Sequence, residues 1–252
     1  NAHKEQYNIQ FVTHIGDMTD SGERSEFLKA KEILDDLEVP YIPIMGNHDV
    51  LPYYYDSQGN FHNAPSSYKV EFFQEVFETQ FSILSEILAN WAKQEWPGEH
   101  KNENYYFDYL HFHFICQDYN SRELAWPGHP GTEGQADLHK TGDWMLNHLD
   151  NYWNMGDDNV LLFAHHPLTW CNYGPPATPF QNFSFGEFDK IRCGLDPKRD
   201  NVYRWFAGHI HATTSWPVRD LWHTHEIMEV IVTSMGFYRK VGNYWGSSGN
   251  TI

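Results

Sequence analysis

Four apolar, strand-length runs in this chain of 252 residues stop in the same way, at a small residue followed by side chains that bind metals. They close on Gly16-Asp17-Met18-Thr19-Asp20, Gly46-Asn47-His48-Asp49, Ala164-His165-His166-Pro167 and Gly208-His209-Ile210-His211. Between the first two runs, Phe27, Ala30, Ile33, Leu34 and Leu37 fall at helical spacing within residues 23–38. A strand over 8–15, that helix and a strand over 40–45 make a βαβ crossover, which is parallel and right-handed. Ligands of such sheets gather beyond the carboxyl ends of the strands. One Gly-Asp pair after a strand is most often only a turn, and one Asn-His pair is commonly a satisfied polar pair. Four such turns in one α/β pattern bring their side chains to a common edge.

The remaining elements follow from pattern and punctuation. Residues 51–104 break the strand-helix rhythm, with a Tyr-rich loop from Leu51 to Tyr55 and a helix from about Lys69 to about Lys93, ended by Trp96-Pro97-Gly98. This aromatic and acidic insertion reads equally as a cap that selects substrate and as a helical layer covering the sheet. Tyr53, Tyr54 and Tyr55 are candidates to face a substrate. Tyr105 to Asp118 alternates as a hairpin with a turn near 108–111, and His111 and His113 share a strand face there, where core or surface placement outweighs metal binding. A helix is expected around Asp143 to Trp153, a strand over 159–164, a short helix near 186–193, and strands over 203–207 and 226–235. The Gly- and Pro-rich stretch 172–186 reads as a loop.

Composition excludes several function classes. Lys and Arg number 17 against 34 Asp and Glu, a formal charge of −17. That balance opposes a nucleic-acid footprint, which needs clustered basic residues, and opposes docking on an anionic membrane. No apolar run is long enough for a transmembrane helix, and the 40% hydrophobic content supports a sizeable core instead of disorder. Cys116, Cys171 and Cys193 are too few for a disulfide framework, though one bridge stays open. Asn182-Phe183-Ser184 is a glycosylation sequon too common to fix a compartment. High Trp and Tyr content favours an exported protein over a cytosolic one.

Oxygen and imidazole donors without thiolate suit Mn, Fe or Zn ions and disfavour a structural cysteine-type zinc site. A carboxylate can bridge two ions, and paired ions about 3.5–4 Å apart can hold a hydroxide and clamp a phosphoryl group. A nearby histidine can then assist the leaving oxygen. The set fits phosphoester hydrolysis better than carbonyl or redox chemistry.

In the order Gly-Asp, Gly-Asn-His-Asp, His-His-Pro and Gly-His-Ile-His, spanning residues 16–211, the chain resembles the calcineurin-like metallophosphoesterases. The resemblance implies a four-layer α/β/β/α sandwich, two mixed sheets flanked by helices, in a single domain over 1–252. It implies two divalent or trivalent metal ions, with Asp17 bridging both, Asn47, His165 and His209 completing one shell and His211 binding the other ion. His48 would be the acid or electrostatic partner of the leaving group, oriented by Asp49. His166 would lie beside the ligands or face the substrate, and Asp20 is either a further site residue or a helix-entry cap. The substrate would be a small-molecule or lipid-headgroup phosphomonoester or phosphodiester, nucleic acid being disfavoured by charge.

The family's opening Asp-x-His motif is absent from the 16 residues before Asp17, and His3 and His14 read as surface or core histidines. Three explanations are open: a preceding segment removed, a preceding segment not included, or a relative with one complete and one ruined metal site. Hence the rival reading, a non-catalytic metal-binding or scaffold relative of the same fold. Keeping His48 and Asp49, which a scaffold does not need, opposes that rival.

Overall fold

The computed structural model describes residues 3–51, 53–95, 103–120, 141–152, 159–168, 185–195, 201–209, 214–218 and 227–232. In chain order these form α1 (Lys4–Tyr7), β1 (Val12–Ile15), α2 (Arg24–Asp35), β2 (Tyr41–Ile44), a 3-10 turn (His48–Val50), β3 (Tyr53–Tyr55) and β4 (Phe61–Asn63). There follow α3 (Ser66–Ile87), β5 (Ala89–Lys93), β6 (Tyr105–Tyr109), β7 (Phe112–Gln117), α4 (Thr141–Tyr152), β8 (Val160–Ala164), α5 (Phe185–Leu195), β9 (Val202–Ala207), β10 (Thr214–Val218) and β11 (Ile227–Ile231).

The expected βαβ crossover is present. β1 and β2 pair in parallel, Val12 opposite Tyr41 through Ile15 opposite Ile44. The connecting α2 starts at Glu23, whose backbone N–H donates to Glu26 Oε2 at 2.9 Å, half of a reciprocal capping box. A seven-stranded mixed sheet has the order β10-β11-β9-β8-β7-β6-β5, with β7, β8, β9 and β11 parallel to their neighbours in that series and β5, β6 and β10 antiparallel at its flanks.

Alternation along the central strands sorts two cores. Phe114, Cys116, Phe163 and Phe206 point toward Ile42 and Ile44 of the small sheet and the apolar stripe of α3, Phe73, Phe77, Phe81 and Leu84. Ile115, Leu162, Ala164, Trp205 and Ala207 point the other way, onto Met145 and Leu149 of α4 and Ile191 and Leu195 of α5. The layers are therefore helix, small sheet, large sheet, helix, the expected four. The expectation of two mixed sheets needs one correction: among the described residues the small sheet is a parallel pair only.

Three local expectations are also corrected. The helix over 69–93 stops at Ile87, because Leu88 turns extended and Asn90 takes a left-handed φ of 52°, which starts the edge strand β5. Trp91 then stacks on Tyr105 at 4.8 Å, an aromatic contact that ties β5 to the core. The Tyr-rich loop is a hairpin, β3 against β4, with Tyr54 stacked on His62. His111 lies exposed in the β6-β7 turn, while His113 alone is buried on β7. Cys116 and Cys193 are free thiols, and no helix among the described residues is long and apolar enough to cross a membrane.

Candidate metal centre

The turn after β1 is forced into an unusual shape. Gly16 has φ 78°, and a Cβ on it would collide with His165 Nδ1 and the Gly46 backbone. Asp17 itself sits at φ 55°, a left-handed conformation that costs a non-glycine residue energy and recurs at functional sites. The turn after β2 crosses close beneath it: a Cβ on Gly46 would overlap the Asp17 carboxylate. Small residues before both site residues are thus required by the approach of the two loops.

Asp49 ties those loops together. Its buried Oδ1 accepts hydrogen bonds from Thr19 N at 2.9 Å and Thr19 Oγ1 at 2.8 Å, and its Oδ2 accepts from Gly46 N at 2.8 Å. Burial and the nearby Asp17 charge push its carboxyl up to about 6. The expectation that Asp49 orients His48 is corrected here. Successive residues of the 3-10 turn point apart, and His48 Nδ1 instead donates to the backbone carbonyl of Asp20 at 2.8 Å. Asp20 therefore acts through its main chain, and the helix entry is capped by Glu23.

Four of the expected ligands converge. His165 Nδ1 must donate to Ile15 O at 2.8 Å, since a carbonyl only accepts, and this directs Nε2 into the site. That nitrogen lies 3.2 Å from Asp17 Oδ2, 3.0 Å from Asn47 Oδ1 and 3.3 Å from His209 Nδ1. His209 Nδ1 is in turn 3.0 Å from Asn47 Oδ1. The donor atoms of Asp17, His165 and His209 all lie within 4.8 Å of one another. Two imidazole nitrogens on one tetrahedral ion with bonds of about 2.0–2.1 Å are separated by about 3.3–3.4 Å. The spacing and the donor chemistry both fit a metal ion, and a backbone carbonyl behind His165 is the usual means of orienting such a ligand.

The same groups are coupled electrostatically. Burial pushes the Asp17 carboxyl up, but His165 and His48 overcome this and hold it well below the usual carboxylate range. Burial lowers His165, yet the Asp17 carboxylate and the Ile15 hydrogen bond raise its pKa to about 9. His209 is held well below its ordinary value by burial and by the histidines around it.

His166 is fully buried, its ring 5.1 Å from that of His165 and 4.7 Å from that of His209, and burial with the His165 charge pushes it down to about 3. His211 lies outside the described residues, as do Cys171, His129, His139, His223, His225 and the sequon at 182–184. Sequence reasoning missed Thr19 and the carbonyls of Ile15 and Asp20, which carry no motif signal. His14, read as a surface or core residue, has an Nδ1 that is buried without a hydrogen-bond partner among the described residues. Burial lowers it to about 4 beside Asp17 and His165.

Among solved structures, the chain is similar to a phosphopantetheinyl hydrolase from Mycobacterium tuberculosis, at 12% identity over 88% of this chain and 79% of that one, with a TM-score of 0.43. It is also similar to a Staphylococcus aureus protein assigned as a 5′-nucleotidase, at 9% identity over 90% of this chain and 48% of that one, with a TM-score of 0.35. No curated protein matches the chain in sequence. Residues 1–213 match the family model described as calcineurin-like phosphoesterase, and that stretch contains every residue of the converging cluster. The chain belongs to the calcineurin-like phosphoesterase family.

Proposed function

We propose that the chain hydrolyses a phosphomonoester or phosphodiester at the cluster of Asp17, Asn47, His165 and His209. The observation that carries this reading is the meeting of Asp17, His165 and His209 donor atoms within 4.8 Å from three separate strand ends. These residues would hold one ion, and Asp17 with His211 would share in a second. When bound, such ions supply Lewis acidity and lower the pKa of a coordinated water. Asp17 Oδ1 accepts the backbone N–H of His48 at 3.0 Å, which turns Oδ2 toward His165 Nε2, 3.2 Å away, on the side where an ion would be held.

His48 is suited to move a proton. Its Nδ1–H is committed to the Asp20 carbonyl, so Nε2 is the atom that gives or takes one. Burial lowers its pKa, but Asp17, the Asp20 carbonyl and the Asp20 and Asp49 carboxylates outweigh that and raise it, which favours the protonated acid. The side chain remains 40% exposed, open to a leaving oxygen. The substrate class is a small-molecule or lipid-headgroup phosphoester, since the −17 charge repels a polyanion.

The test is hydrolysis of p-nitrophenyl phosphate, bis-p-nitrophenyl phosphate and an alkyl phosphate after loading with Mn, Fe or Zn. His48→Ala should lower turnover of the alkyl ester by about 10²–10⁴-fold, the usual worth of a general acid. Its effect on nitrophenyl esters, whose leaving group needs no proton, should be much smaller, with metal content unchanged. Equal losses on both ester types would remove His48 from the acid role. No turnover on any substrate after loading would leave the non-catalytic relative.

A further inference from the structure

The large sheet carries a second group of imidazoles at the end remote from the candidate centre. His113 pairs with Val160, the first residue of β8, whose opposite end leads into His165. Asp108 on β6 lies opposite His113 on β7, and its Oδ1 accepts the Nδ1–H of His113 at 2.5 Å. Asp108 Oδ2 is held by Asn90 Nδ2, also at 2.5 Å. Since a carboxylate only accepts, the proton of neutral His113 is on Nδ1 and its Nε2 presents a lone pair. That lone pair meets His148 Nε2 of α4 at 2.8 Å.

Each of the two rings is stacked against a tyrosine. Their centroids are 5.0 Å apart and their planes differ by 28°, so the nitrogens face each other between the rings. Tyr152 stacks on His113 at 3.9 Å, and Tyr106 stacks on His148 at 3.9 Å. A hydrogen bond between two neutral imidazoles has one proton where a divalent ion can sit. A carboxylate behind one imidazole is the arrangement that orients metal-binding histidines. Two nitrogen donors without thiolate suit Zn²⁺, Ni²⁺ or Cu²⁺.

We propose that His113 and His148 form a Zn²⁺-binding site separate from the candidate catalytic centre, with Asp108 as the carboxylate that orients His113. Zinc on both Nε2 atoms needs them about 3.3–3.4 Å apart, so the 2.8 Å pair opens by about half an ångström. His148, the half-buried partner, makes that movement. Its proton passes from Nε2 to Nδ1 of the same ring, and water completes the zinc shell, so no proton is lost from the protein. Burial lowers His113 despite Asp108, and burial with His113 pushes His148 down to about 4, so both rings are in the neutral, ligating form at neutral pH. The bound ion clasps β7 to α4.

Crystals of the full chain grown with Zn²⁺, measured at the zinc absorption edge, decide the matter without any variant. An anomalous peak between His113 and His148 is expected, and its absence in zinc-containing crystals overturns the proposal. In solution, equilibrium dialysis against Zn²⁺ should give one ion fewer per chain for His148→Gln than for the unmodified chain. Glutamine keeps a donor for His113, so the fold is retained. Equal stoichiometry and affinity in the two proteins would show that the pair is a structural hydrogen bond only. This difference is independent of how many ions the candidate catalytic centre takes.

Discussion

Asp49 shows how much of the centre is built by groups that never touch a substrate. One carboxylate takes three hydrogen bonds from two loops, Thr19 N, Thr19 Oγ1 and Gly46 N. Asp49→Asn retains the size but not the acceptor capacity, and leaves one buried N–H unpaired. Urea unfolding should register a loss of about 1–3 kcal/mol, with metal affinity weakened because the loops carrying Asp17 and Asn47 loosen. An unchanged midpoint would show that Asp49 does not brace the loops. At this scale the converging cluster was legible in the sequence because its candidate ligands Asp17, Asn47, His165 and His209 each lie within three residues of a strand end. What orients them was not. Ile15 and Asp20 act through carbonyls that every residue possesses, and Thr19 acts through a fold-dependent contact 30 residues away from Asp49. The family resemblance paired His48 with Asp49, whereas His48 Nδ1 is held by the Asp20 carbonyl.

The elements were readable where periodicity is strong. β1, α2, β2, β8 and β9 stand within a few residues of expectation, because apolar runs and helical spacing report directly on the core-facing side. The end of α3 was not, since the apolar and polar residues of 88–93 satisfy either period and only the tertiary partner, Tyr105 beside Trp91, decides for a strand. β10 escaped notice for a related reason, with a proline at Pro217 masking an edge strand. The insertion's helix is part of the main core: Phe77 is fully buried, with its ring 6.3 Å from Phe27 of α2 and 6.3 Å from Tyr41 of β2. Phe77→Ala should therefore cost about 3–5 kcal/mol, measured by denaturant unfolding. A loss below 1 kcal/mol, of the order expected for a surface site, would mean that α3 is a detachable layer.

Across the whole molecule, charge and protonation set the conditions of use. With a formal charge of −17, the chain repels anionic phosphoesters at long range. Raising ionic strength across the range where the Debye length falls from about 30 Å to about 8 Å should raise kcat/KM for a dianionic monoester. A neutral ester should show no such rise, and a fall with salt for the monoester would point to a local cationic field that dominates. Stability should also depend on pH through His148. Its folded pKa is pushed down to about 4 from an ordinary 6.5, so between those values the unfolded chain holds the proton that the folded chain refuses. In chelator-treated protein, the contribution of His148 to stability is therefore complete above pH 6.5 and falls as pH drops toward 4. His148→Gln should flatten that part of the urea-midpoint profile, and parallel profiles for the two proteins would contradict the assignment.

The central claim is that one carboxylate and two imidazoles from three strand ends hold the ion that makes this chain a phosphoesterase. Elemental analysis and phosphoester turnover on the same purified sample, for the unmodified chain and for Asp17→Asn, test it most directly. Asparagine preserves the shape and the hydrogen bond from the His48 backbone while removing the charge an ion needs. Bound metal and turnover in the unmodified chain, with both lost in a folded Asp17→Asn, is the predicted result. Turnover that survives in Asp17→Asn with metal content unchanged would contradict the account.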